Sequence, residues 1–133
     1  MIEELDDRWL IRLRGVPVVA ATQTSDGRGL TVTFGSGAVL TTSGPTLLTD
    51  GPATAPGAVA LPTQEVVSLI GSTVLSAVAF KFGSLRMVFS TGHHLNVRST
   101  GSEATARLRH DGVFEWSCRE GVGTMRVLRS EHL

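Results

Sequence analysis

The sequence predicts a mainly β fold, in which duplicated antiparallel meanders form a two-layer sandwich or partly open barrel with one short helix. Three observations predict it. Apolar and polar residues alternate along most segments, most cleanly in Leu30-Thr-Val-Thr-Phe34, the pattern of a half-buried strand. One template occurs twice, over residues 13–42 and 69–97. Leu13, Gly15, Val18 and Ala21 match Leu69, Gly71, Val74 and Ala77 at an offset of 56. Leu30, Phe34, Gly37 and Leu40 match Leu85, Phe89, Gly92 and Leu95 at an offset of 55. Finally, 133 residues with 41% hydrophobic side chains suffice for one domain, residues 1–133, with a sizeable core.

The elements follow in order. Residues 8–14 set Trp9, Ile11 and Leu13 against Arg8, Arg12 and Arg14, which predicts a strand; a helix capped by Asp6 or Asp7 is the alternative. Val18–Gln23 and Leu30–Phe34 are strands, and Gly35-Ser-Gly37 is a tight turn whose last glycine needs a positive φ. Ala38–Thr42 returns as the third strand, and Thr46–Thr49 fits a short fourth. Residues 43–62 contain Pro45, Pro52, Pro56 and Pro62, which keeps this connection out of central strands. A short helix is expected at 63–70, with Thr63 as cap, Val66, Val67, Leu69 and Ile70 on its apolar face, and Gly71 as its stop.

The second meander comprises Thr73–Phe80, Leu85–Phe89 and His93–Arg98, with turns at Lys81–Ser84 and Ser90–Gly92. Three more strands follow, Ala104–Arg109, Val113–Cys118 and Thr124–Arg129, joined by His110-Asp-Gly112 and Glu120-Gly-Val-Gly123. A meander buries one face only, so each copy needs the other as its cover. The expected shared core is Val18, Leu30, Val32, Phe34, Leu40, Val74, Leu85, Phe89 and Leu95, with Gly37 and Gly92 in equivalent turns.

Composition narrows the function classes. No apolar run approaches 18 residues, and the acidic start Met1–Asp7 lacks the apolar stretch of a secretory signal. The single Cys118 cannot form an internal disulfide, which agrees with a reducing cytosol. Lys81 is the only lysine, Asn96 the only asparagine, and tyrosine is absent, the usage of a GC-rich bacterial genome. Net charge is zero, with −3 over residues 1–65 and +3 over the remainder, too little to attract nucleic acid or anionic lipid strongly.

The chemistry-bearing residues do not converge in sequence. His93 and His94 are neighbours on a strand and face opposite sides, so they cannot share a metal. His110 adjoins a turn, and His132 lies in the tail. Cys118 has no base tied to it and reads as a structural thiol. Gly35-Ser-Gly37 is explained by its turn, and Gly121-Val-Gly123 lacks the lysine and helix of a phosphate loop. Glu103, Asp111, Glu115 and Glu120 are scattered. Arg107, Arg109, Arg119, Arg126 and Arg129 lack the exposed aromatics that would stack bases. No catalytic, cofactor-binding or metal-ligating set is therefore expected.

The repeat and the tail resemble a group of small actinobacterial proteins, domain-of-unknown-function family 6188. Gly15-Val-Pro-Val18 and Gly71-Ser-Thr-Val74 match its opening motif. Leu30–Phe34 and Leu85–Phe89 match its strand, and Cys118 with Gly121-Val-Gly123 resembles its tail. The chain departs from the pattern at Ser36 and Thr91, where the family has aspartate, and at Thr105, where it has tryptophan. The resemblance implies a β-rich fold and no established activity, with an accessory or immunity-like role by analogy. The expected function is a non-enzymatic, protein-binding module of the bacterial cytosol, and the alternative is a small-molecule-binding barrel or cryptic enzyme. The expected interface residues are Trp9, Trp116 and Arg107, facing a protein partner. Neither membrane nor nucleic acid is expected as a partner, and a homo-oligomer is left open.

Overall fold

Strands that alternate as Leu30–Phe34 does keep one face dry only under a second layer, and two antiparallel sheets provide it. The computed structural model describes residues 2–24, 29–43, 46–52, 60–98 and 105–128. Its strands are β1 (Ile2–Glu4), β2 (Arg8–Ile11), β3 (Val18–Gln23), β4 (Leu30–Phe34), β5 (Val39–Ser43), β6 (Thr46–Asp50), β7 (Ala60–Leu61), β8 (Val74–Phe80), β9 (Ser84–Phe89), β10 (His93–Arg98), β11 (Thr105–His110), β12 (Phe114–Arg119) and β13 (Val122–Val127). One sheet has the order β1-β2-β8-β9-β10-β6-β7, and the other β13-β12-β11-β5-β4-β3.

The two meanders, β3-β4-β5 and β8-β9-β10, lie in different sheets, and each is extended by a strand from beyond the other. After β5 the chain crosses over, so that β6 pairs with β10, with Leu48 opposite Leu95. After β10 it crosses back, so that β11 pairs with β5, with Leu108 opposite Leu40.

The sheets meet at a corner made of backbone. Gly15 N–H donates to Val74 C=O at 2.8 Å, and Gly71 N–H to Val18 C=O at 2.9 Å. Val18 N–H donates to Ser72 C=O at 2.8 Å, and Val74 N–H to Val16 C=O at 2.9 Å. The bonds come in pairs related by the 56-residue offset, centred on a bridge between Pro17 and Thr73. Gly15 (φ +84°) and Gly71 (φ +89°) supply the left-handed turns into this corner. Both strands leave it through a bulge, between Val18 and Ala20 in β3 and between Val74 and Ser76 in β8. The bulges turn Val19 and Leu75 out to solvent.

Strand β8 runs crosswise over the six-stranded sheet. Its start is bonded to the segment entering β3, one edge of that sheet. Beyond its end, Lys81 C=O accepts from Gly123 N–H at 2.8 Å on β13, the opposite edge. The β8–β9 turn can lie this close because residue 83 is glycine: a Cβ there would stand 2.8 Å from the Gly121 carbonyl carbon.

Between the sheets, the row Ala21–Val32–Leu40–Leu108–Trp116–Met125 faces the rows Trp9–Ala79–Leu85–Val97 and Ala77–Met87–Leu95–Leu48. All nine expected core residues are buried, and Phe34, Phe89, Phe114 and Trp116 are the largest fully buried side chains. Gly37 and Gly92 have φ of +102° and +91°.

Residues 8–11 form a strand, as the alternation predicts. Thr63–Leu69 is a 3-10 helix, and its N-cap is Pro62, which carries no side-chain acceptor, in place of the expected Thr63. Val66 and Leu69 anchor it in the core, while Val67 and Ile70, expected on the same apolar face, are exposed, because a 3-10 turn eclipses residues three apart. Pro45, Pro56, Glu103, Ala104, Arg129 and His132 lie outside the described residues.

Phe34→Ala and Phe89→Ala are each expected to cost about 3–5 kcal/mol, the usual penalty for emptying a packed phenylalanine site. Urea unfolding measures this, and a cost below about 1 kcal/mol for both would show that the two sheets do not share this core.

Candidate functional site

The two tryptophans expected at an interface are core residues. Trp116 is fully buried at the middle of β12, and Trp9 is 8% exposed on the inner side of β2. Strand parity decides this: Trp116 shares its face with Phe114 and Cys118, and Trp9 with Ile11, all of them buried. Arg107 is on the surface, where its Nε lies 3.7 Å from Glu115 Oε1. Cys118 is a buried thiol outside any disulfide. His93 and His94 point to opposite sides of β10, and Thr91 Oγ1 lies 2.7 Å from His93 Nδ1. Among the described residues no three of His, Cys, Asp and Glu gather as a metal site. No helix among them is long and apolar enough to cross a membrane.

The outer faces of the two sheets differ in chemistry. On the six-stranded sheet, the register aligns Thr22, Thr31, Thr41, Arg107, Ser117 and Thr124 across all six strands. The next row aligns Ala20, Thr33, Val39, Arg109, Glu115 and Arg126. Glu115 lies between two arginines, 3.7 Å from Arg107 and 3.6 Å from Arg126, and Arg109 pairs with Asp111 at 3.1 Å. This is a hydrated face on which Arg107, Arg109 and Arg126 have carboxylate partners and Arg119 has none among the described residues. At the strand ends, Thr41, Ser43, Arg107, Ser117 and Arg119 border a polar recess of about 400 Å³.

On the seven-stranded sheet, one outer row aligns Glu3, Leu10, Val78, Arg86, Asn96 and Leu47. The adjacent row aligns Ser76, Val88, His94 and Thr49. Leu10, Val78, Val88 and Leu47 are interspersed there with Arg86, Asn96, His94 and Ser76. Val78 is 7% exposed although it points away from the core, flanked across the neighbouring strands by Leu10 and Arg86. Leu47, at the end of the row, is 40% exposed. The signal for this face is the run Val74-Leu-Ser-Ala-Val-Ala-Phe80, apolar at both parities, which marks a strand covered on both sides.

Charges rim this centre. Arg8 makes two hydrogen bonds to the Asp7 carboxylate, at 2.9 and 3.0 Å, and its guanidinium lies 4.9 Å from the Phe80 ring centroid. Arg12 lies 3.9 Å from Glu3. On the other side of the sheet, the side of Trp9, Lys81 bonds Glu4 at 2.6 Å and lies 5.3 Å from the Trp9 ring. These hydrogen bonds hold the Glu4 and Asp7 carboxyls below their usual range. Arg86 has no carboxylate partner among the described residues; its guanidinium lies 5.8 Å from the Phe80 centroid. Beside it, the Asn96 Nδ2 group is buried without a hydrogen-bond partner.

The family model described as "Family of unknown function (DUF6188)" matches residues 9–108 of this chain. The chain belongs to that family. No curated protein and no solved structure matches it. The DUF6188 match runs from Trp9 in β2 to Leu108 in β11, so it takes in the backbone corner and both crossing strands.

His94 gives the open face a pH signature. Burial, and to a smaller degree the Arg86 guanidinium, hold its imidazole below the usual value of 6.5. The unfolded chain then binds a proton more readily than the folded one, so stability rises with pH in this range. The contribution is complete above about pH 6.5 and is lost as pH falls through the lowered folded value. The melting temperature is expected to fall between pH 7.5 and 5.5, and His94→Gln to reduce that fall. The carboxyls of Glu4 and Asp7 act in a separate window below about pH 4.5. A pH profile unchanged by His94→Gln would refute the assignment.

Proposed function

We propose that this chain is a non-enzymatic protein-binding module of the bacterial cytosol, an accessory or immunity-like factor, that binds its partner with the outer face of the seven-stranded sheet. The observation that carries this reading is the contrast between the two outer faces. A sheet face meant for water alternates to polar residues, as the six-stranded sheet does with threonine, serine and paired charges. The other face departs from that rule with Leu10, Val78, Val88 and Leu47 interspersed with Arg86, Asn96 and His94. Aliphatic residues set beside an arginine within a polar rim are the composition of protein interfaces. The duplication read from the sequence belongs to the same proposal, and the corner hydrogen bonds paired at 56 residues support it.

Immobilised protein tests the reading. Leu47→Asp places a charge on the apolar face, and Thr41→Asp does the same on the polar one. A partner captured by the native chain is expected to be kept by Thr41→Asp and lost by Leu47→Asp. Titration calorimetry with the purified partner is expected to show at least a tenfold loss for Leu47→Asp, about 1.4 kcal/mol. Loss confined to Thr41→Asp would move the interface to the other sheet.

A further inference from the structure

We propose that the outer face of the seven-stranded sheet receives an acidic side chain of its protein partner, with the carboxylate on Arg86 and Asn96 and aliphatic groups of the same segment on Val78, Val88 and Leu47. The proposal rests on the reading that this face is the interface, and it names the chemistry that the face selects.

Three observations converge on it. Arg86 and Asn96 are direct cross-strand neighbours on β9 and β10, so both side chains lie on the outer side at the centre of the face, Arg86 exposed and the Asn96 amide beneath the surface beside it. Of the described side-chain cations on this face, Arg8 is matched by Asp7 and Arg12 by Glu3. Arg86 lacks a carboxylate among the described residues, and the Nδ2 donor of Asn96 beside it is buried without a hydrogen-bond partner. A buried donor without a partner costs stability, and proteins keep few of them without a reason. A guanidinium fork next to an amide donor matches the two oxygens of one carboxylate.

The surroundings favour a protein carboxylate over a phosphate chain. Nucleic-acid sites place several unpaired cations at phosphate spacing, whereas among the described side chains of this face Arg86 is the one without a carboxylate, set among Leu10, Val78, Val88 and Leu47. A glutamate or aspartate between aliphatic residues satisfies both the charge and the apolar floor.

The test is a randomised heptapeptide library displayed on phage and panned on the full chain, with Arg86→Gln as counter-selection. Selected peptides are expected to carry aspartate or glutamate next to aliphatic residues. Asn96 is the only asparagine of the chain, so its side-chain amide is readily assigned by nuclear magnetic resonance. The best synthetic peptide is expected to shift that amide and the Arg86 Nε–H. Its affinity is expected to fall at least tenfold when its acid becomes the amide, and equally with Arg86→Gln, while Arg86→Lys falls between. Arg86 is exposed, so the variant is expected to keep its other resonances, which serves as the folding control. Peptides without an acid that still map to Val78 and Val88 would overturn the carboxylate proposal and leave the interface reading standing. No selected peptide, or peptides mapping to the six-stranded sheet, would overturn both. Inorganic phosphate shifting the Asn96 amide as strongly as the acidic peptide would overturn the proposal in favour of a phosphate ligand. A dimer in sedimentation velocity that Arg86→Gln dissolves would overturn it in favour of a second copy.

Discussion

The reciprocal backbone ladder between Gly15–Val18 and Gly71–Val74 is the constraint on which the rest of the structure depends. Four main-chain hydrogen bonds, made without a single side chain, bind the entry of one meander to the entry of the other. They fix where β3 and β8 begin, and the bulge that follows in each aims the strand along its own sheet. From that corner β8 must travel across the six-stranded sheet to reach Gly123 at the start of β13. The apolar rows then face one another because the corner has set the register of both sheets, and a one-residue slip at either entry would turn a row outward.

The order and identity of the strands other than β1 and β7 were legible from local pattern, and so were Gly37, Gly92 and the nine core positions. What local pattern could not reveal was partner choice. Thr46–Asp50 and Thr105–His110 read as strands wherever they pair, and their crossing into opposite sheets is decided by contacts far away in sequence. The tryptophans were misjudged for a related reason. Scarce large aromatics invite a surface role, but parity with Ile11, Phe114 and Cys118 already pointed both of them inward. The open face was written in Val74–Phe80, whose two-sided apolar character is hidden when the segment is read only as half of an alternating repeat. Residues 63–69 occupy the same slot of the template as residues 7–13, yet one is a 3-10 helix and the other largely strand. Pro62 and the helix-forming Gln64-Glu65 separate them, and β1 gives residues 8–11 a strand to pair with.

The two outer faces divide the labour of the fold. The threonine- and arginine-rich face pairs three of its arginines within itself, Arg107 and Arg126 with Glu115 and Arg109 with Asp111. The opposite face holds Val78 under a thin cover and leaves the Arg86 charge and the Asn96 donor unmatched. Both faces belong to antiparallel sheets of similar size, so the difference lies in side chains and not in architecture.

The exchange of strands between the sheets has a consequence for the order of events during synthesis. When the first meander has left the ribosome, β5 is still an open edge, because its neighbour β11 has yet to be made. β6 is likewise without β10, and β2 without β8. Neither sheet can close until the last third of the chain appears, so the nascent protein carries unpaired strand edges for most of its translation. Pairings this distant in sequence make folding slow and late, and they tie the two halves into one cooperative unit. A helper that shields strand edges would serve this chain during synthesis more than after its release.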